Sequence, residues 1–132
     1  MMRMEEDLVP LLAAVARGER LSPAPPWSTD GRAAVCVAIA SGGYPGRYTT
    51  GHEITGIDAA EARPGVQVFQ AGTARRQGRL VTAGGRVLGV TAVADDLAAA
   101  IAAAYEGVGR IHFEGMHYRT DIGRKALEVR AR

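Results

Sequence analysis

Residues 82–108, TAGGRVLGVTAVADDLAAAIAAAYEGV, change hydrophobic period midway, and that constrains the chain more than any other feature. From Arg86 to Val93 the period is two. Leu88, Val90 and Ala92 share one face, while Val87, Thr91 and Val93 share the other, so both faces of the predicted strand are expected to be at least partly covered. Gly84 and Gly85 open the stretch, where the missing side chains permit φ > 0 and close approach of another backbone or a ligand. Beyond Ala94 the period becomes helical. Asp95 is the expected N-cap, with Asp96 in the first turn. Leu97, Ile101, Ala104, Tyr105 and Val108 then form one stripe. Gly107 and Gly109 mark a left-handed stop.

The rest of the chain supplies partners for this unit. Residues 33–40 (AAVCVAIA) predict a short central strand with two apolar faces, broken by Ser41-Gly42-Gly43-Tyr44-Pro45-Gly46. Residues 51–57 (GHEITGI) suggest another short strand, and 58–63 a single helical turn before Pro64-Gly65. Residues 66–71 (VQVFQA) alternate, with Val66, Val68 and Gln70 on one side and Gln67, Phe69 and Ala71 on the other. A polar turn over 74–78 and a strand start at 79–82 predict a hairpin. In 110–119 (RIHFEGMHYR), Ile111, Phe113 and Met116 read as inward, followed by a short turn over 121–127 and a solvated tail. At the other end, residues 1–17 place Leu8, Leu11, Leu12 and Val15 on one helical face ending at Gly18. Pro10 fits only if that helix starts near Glu6 or Asp7, or kinks. Residues 21–31 (LSPAPPWSTDG) read as an extended connector, with Trp27 packing over a core edge. The sum is an α+β domain, mostly antiparallel, with one packed helix and one unpartnered N-terminal helix.

Composition narrows function by exclusion. With 132 residues and 47% hydrophobic content, the chain has enough for one core. Sixteen basic and fourteen acidic residues leave a net charge of +2, too balanced for a nucleic-acid footprint. No run approaches a membrane span, and no basic-then-apolar signal layout opens the chain, so a cytoplasmic location is expected. The lone Cys36 reads as a buried, inert thiol. His52, His112 and His117 do not make a metal site with it, and no histidine stands beside an evident nucleophile and acid. The turn at Ser41 lacks both a following helix and a Lys-Ser/Thr pair, so it is neither a P-loop nor a dinucleotide turn. The two glycine turns are each structural when taken alone. Together they suggest a place where backbone amides meet an anion or carboxylate. Arg119 and Asp121 read as a salt bridge or turn cap.

Five blocks carry a more specific signal: AVCVAIASGGYPG, ITGID, VFQAGT, LVTAGGRVLGVTAVADDLAAAIAAAYEGV and IHFEGMHYRTDIG. In this order and spacing they resemble the C-terminal domain of the phosphoribosylamine–glycine ligase (glycinamide ribonucleotide synthetase) family, of the ATP-grasp superfamily. The resemblance covers about Ala33 to Ala126. It implies that residues 1–31 are the last ATP-grasp helix plus a linker, that 32–132 form the C-terminal domain, and that the chain is a fragment of a longer enzyme. The implied reaction joins glycine to 5-phosphoribosylamine with ATP hydrolysis, in purine biosynthesis. Its partners are the remaining N-terminal and ATP-grasp domains, with no nucleic acid and no membrane. The ATP and Mg²⁺ ligands are implied to lie outside this chain, which would be catalytically silent alone, with no catalytic or metal-binding residue of its own.

The layout is also similar to that of biotin carboxylase, whose C-terminal turns border the catalytic cleft. By that analogy the cleft candidates are Ser41, Gly42, Gly43, Tyr44, Pro45, Thr82, Gly84, Gly85, Arg86, Arg119 and Asp121, with Arg86 or Arg119 meeting an anionic group. Two positions depart from the family pattern. Gln70 stands where VFHAGT has His, and Thr120 where RRDIG has Arg. The competing expectation is a non-catalytic interaction module that dimerises or docks through the N-terminal helix.

Overall fold

In the computed structural model, residues 2–4, 7–21 and 30–130 are described, the last two for backbone only. In chain order the elements are α1 (Leu8–Ala16), β1 (Ala33–Ala40), α2 (Ile57–Glu61), β2 (Val66–Gln70), β3 (Thr73–Arg76), β4 (Arg79–Thr82), β5 (Arg86–Ala94), α3 (Leu97–Val108), β6 (His117–Tyr118) and α4 (Arg124–Arg130). The strands β2, β5, β1 and β6 form an antiparallel sheet in that order, and β3 and β4 a separate hairpin. The fold is α+β.

Register decides which side chains meet the helix. Val35, Val37 and Ile39 stand opposite Ala92, Val90 and Leu88, while Val66 and Val68 stand opposite Ala92 and Val90 from the other side. These side chains point to one face, where Ala100, Ala104 and Val108 of α3 close over them with Ile111 and Phe113. The buried ridge of α3 is small. Ala100 belongs to it, whereas Leu97, Ile101 and Tyr105 are only partly covered.

Gly107 is helical and performs a packing role: a Cβ there would meet methyls of Val90 and Val66 at 3.0 and 3.1 Å. The expected left-handed stop is absent, since the C-cap Gly109 has φ −64°. At the other end the N-cap is Asp96 rather than Asp95. The strand runs to Ala94, so Asp95 is spent on the bend, and the Asp96 carboxylate accepts from Ala99 N at 2.8 Å.

The largest correction concerns β1. Cys36 is exposed, not buried. Among the described residues only one face of the sheet carries a helix, and the even-numbered Ala34, Cys36 and Ala38 point to the other side.

Other differences are local. Residues 73–76 form β3, which takes the place expected of 66–71 as the partner of β4, while 66–70 pair with β5. The hairpin turn is Gln77-Gly78, both with φ > 0 as a twisted two-residue hairpin requires. Residues 51–57 form no strand. Glu53 bridges to Val81 and Thr55 to His112, so the segment changes partner before a ladder can grow. The tail expected after Glu128 continues α4 to Arg130. The edge strand β2 is capped by α2, where the Glu61 carboxylate accepts from Val68 N at 2.9 Å. Helix α1 starts at Leu8 with Asp7 as N-cap, which leaves Pro10 in the first turn where it is tolerated. Its exposed large apolar residues are Val9, Leu12 and Val15, with Leu8 and Leu11 half-buried. Trp27 and most of the expected connector lie outside the described residues.

Candidate functional site

Both glycine turns lie at the same end of the sheet, because β1 and β5 are paired and each leads into or out of one of them. Ser41, 2% exposed, joins them: its amide donates to Gly85 O and its hydroxyl to Gly84 O, both at 2.8 Å. The first turn then folds back on itself, with Tyr44 N donating to Ser41 O at 3.1 Å and Gly46 N to Gly43 O at 2.8 Å. Gly43 has φ +91°, and a Cβ there would stand 2.2 Å from Arg47 O, so this turn admits only glycine. Gly84 and Gly85 are different. Neither has positive φ, and what they supply is room. A Cβ on Gly85 would strike the Tyr44 ring, which makes an edge contact with Tyr48 at 6.1 Å between centroids.

A third turn belongs to the same cluster. Ala71 N donates to Val87 O, Gly72 N to Arg86 O, and Ala83 N to Gly72 O, at 2.9, 2.9 and 2.7 Å. This is the VFQAGT block, which no local pattern places beside the two glycine turns. Gln70 lies beside it, and its side-chain oxygen accepts from the Thr73 hydroxyl at 3.1 Å. Thr82 is fully buried beneath the second turn. It exchanges hydrogen bonds with the backbone of His52: Thr82 N donates to His52 O at 2.9 Å and His52 N to Thr82 Oγ1 at 3.1 Å. It supports the turn and does not face the solvent.

Arg86 is aimed by a bulge. Ile39 pairs with Leu88 and Ala40 with Arg86, so Val87 is an extra residue and Arg86 turns outward, exposed. Among the described residues it forms no ion pair. It stands between two hollows. One, of about 490 Å³, includes Tyr44, Phe69, Gln70 and Gly89 in its wall. The other, of about 270 Å³ and mostly apolar, lies between Tyr44-Pro45 and Tyr118, Arg119 and Ile122. Gly42 does not reach either; it packs on Gly115, whose carbonyl would be 2.8 Å from a Cβ.

Arg119 is near but committed. Its Nε and Nη2 donate to both oxygens of Asp121 at 2.9 and 2.7 Å. That pairing raises the Arg119 pKa and lowers that of Asp121. The Tyr105 hydroxyl, which donates to Arg119 O at 2.7 Å and accepts from Ile122 N at 3.0 Å, pins the same segment to α3. The salt-bridge reading of this block is what the structure contains.

His52 has a hydroxyl and an acid for neighbours that the sequence does not reveal. Thr49 Oγ1 lies 2.8 Å from Nε2, and Glu114 Oε2 lies 3.2 Å from Nδ1. Thr49 and His52 share one loop, but Glu114 comes from another far along the chain, so no local motif could show the trio. The Glu114 carboxylate is 84% exposed, and the array straps the 49–52 loop to the 112–116 loop. Among the described residues no group of three His, Cys, Asp or Glu side chains could hold a metal ion. No described helix is long and apolar enough to cross a membrane.

A family model described as "Phosphoribosylglycinamide synthetase, C domain" matches residues 34–125. The chain is 60% identical over 94 residues to a phosphoribosylamine–glycine ligase of Synechocystis, covering 71% of this chain and 22% of that one. It is 47% identical over 127 residues to the ligase of Rhodopirellula baltica, covering 96% of this chain and 29% of that one. The trifunctional purine biosynthetic protein adenosine-3 of Bos taurus is 47% identical over 124 residues, which are 94% of this chain and 12% of that protein. The crystal structure of the Thermotoga maritima ligase matches with a TM-score of 0.71 at 35% identity, covering 86% of this chain and 27% of that one. The chain thus spans less than a third of the length of these relatives. The matched residues are those that build the sheet, α3 and the three stitched turns, and the chain belongs to the phosphoribosylglycinamide synthetase C-domain family.

Proposed function

We propose that this chain serves as the C-terminal domain of a ligase that joins glycine to 5-phosphoribosylamine with ATP hydrolysis, and that its turns border the side of the cleft where those two substrates meet. The observation that carries the reading is the family match over residues 34–125, the segment that brings the turns at 41–46, 71–73 and 83–86 together. Arg86 is the residue assigned to the anionic group. It is exposed beside two hollows and has no ion pair among the described residues, whereas Arg119 is held by Asp121. A guanidinium binds phosphate or carboxylate by two parallel hydrogen bonds, which suits either the phosphoribosyl group or glycine.

We assign ATP and Mg²⁺ to the part of such a ligase that this chain does not contain, in keeping with the lack of a three-residue acidic or histidine cluster among the described residues. The domain's own task is to position substrate and exclude water, which can supply a large share of a ligase's rate without a reacting group. Alone, the chain turns over nothing. The test is a chimera in which this chain replaces the matched part of the Rhodopirellula ligase. Release of ADP dependent on both glycine and phosphoribosylamine supports the reading. A folded chimera with no such activity counts against it. A second reading, docking through α1, draws support from the exposed Val9, Leu12 and Val15.

A further inference from the structure

Among the described residues no helix covers one face of the four-stranded sheet, and apart from Gln67 and Thr91 that face is apolar. An antiparallel sheet with one solvated face alternates apolar-in and polar-out. Here the outward row of β1 is Ala34, Cys36 and Ala38, opposite Val93, Thr91 and Gly89 of β5, and Phe69 of β2 stands opposite Gly89. Phe69 is 46% exposed and Cys36 is exposed. Because Ala38 and Gly89 are small, the centre of the face is a trough, continuous with the hollow bounded by Tyr44 and Arg86.

We propose that this face is the surface on which the remainder of a longer ligase chain packs, through an apolar element of that remainder. The inference rests on the functional reading above and adds the partner surface to it. The relatives are at least about three times as long as this chain, so in each of them this domain has a large neighbour in the same polypeptide. A trough lined by alanine and glycine lets a helix or strand approach closely, while Phe69 at its edge supplies a larger apolar contact. Continuity with the turns fits as well. An element seated on Ala38 and Gly89 ends beside Arg86, so one contact surface both covers the sheet and closes the cleft. A second copy fits less well, because a two-fold pairing through this face would bring its two exposed Arg86 guanidinium groups to the same interface.

Cys36 lies in the middle of the face and reports on it. In the isolated full chain, Cys36 should react with a disulfide reagent such as DTNB as a freely exposed thiol. In the chimera with the Rhodopirellula remainder, it should react at least about tenfold more slowly, since opening of the contact must come first; the Cys36→Ser chimera subtracts the other thiols. Equal reactivity in the two proteins overturns the proposal. So does a dimeric isolated chain with a slow Cys36, which would make a second copy the occupant. If the chimera does not fold, the same measurement is made on the full chain mixed with the separately produced remainder, and unprotected Cys36 at saturation overturns it equally. Activity separates the two readings. An active chimera with a fast Cys36 removes the docking face and leaves the function, whereas a folded, inactive chimera with a slow Cys36 does the reverse.

Discussion

The Tyr44 ring occupies the space in which a side chain at Gly85 would stand: a Cβ built on Gly85 would fall 2.2 Å from Tyr44 Cδ2. The two residues are 41 positions apart, and the Ser41 hydrogen bonds to Gly84 O and Gly85 O hold their turns at this distance. Gly85→Ala must therefore displace the ring or the turn. It should cost about 1–3 kcal/mol in urea unfolding, as overpacking generally does. In a double-mutant cycle with Tyr44→Ala, the two losses should couple by at least about 0.5 kcal/mol. Strictly additive losses would show that the ring is not what excludes the side chain.

Ser41→Ala removes the hydroxyl that donates to Gly84 O from a nearly buried position. The expected loss is about 1 kcal/mol, the usual net worth of one such bond, measured by the urea midpoint at unchanged slope.

Much of this end of the molecule was legible in the sequence, and the reasons for the failures differ. The strand-to-helix unit is visible because its period changes at Ala94, and the glycine turns because Ser41-Gly42-Gly43 cannot extend a strand. That they meet depends on the pairing of Ala40 with Arg86, a long-range fact no local pattern contains. Cys36 was misplaced because apolar residues on both faces normally mean two covers. Among the described residues only one cover is present. Glu114 is not legible as a neighbour of His52 and Thr49 because loop packing alone brings it there. Asp95 and Asp96 are chemically equal candidates for the cap, and only the length of β5 decides between them.

Glu61 guards the edge of the sheet through its bond to Val68 N. Glu61→Ala should speed hydrogen exchange at the Val68 amide by about tenfold, with Glu61→Gln intermediate because its carbonyl still accepts. Unchanged exchange in Glu61→Ala would show that α2 does not protect the edge.

The Arg119–Asp121 pair gives an acid dependence of definite sign. Hydrogen bonding from Arg119 lowers the Asp121 pKa in the folded chain, so folding stabilises the ionised carboxylate. That contribution is fully present above the unfolded value of about 3.9 and is lost as pH falls through the lower folded value. The pair is exposed at the surface, so the effect is small and screened by salt. Asp121→Asn should lower stability slightly at neutral pH, and its difference from the parent should shrink as pH falls below about 4. A difference that widens on acidification would reverse the assignment.

Steady-state kinetics of the Rhodopirellula chimera carrying Arg86→Ala, beside the same chimera carrying Arg119→Ala, test the central claim most directly. If Arg86 meets the anionic substrate at the joined turns, Arg86→Ala should lower kcat/KM for phosphoribosylamine or glycine by about 10- to 100-fold, the scale of one charge-assisted pair. Arg119→Ala should have a smaller effect, because its guanidinium is already paired. Parental kcat and parental KM for both substrates in a folded Arg86→Ala chimera would contradict the account.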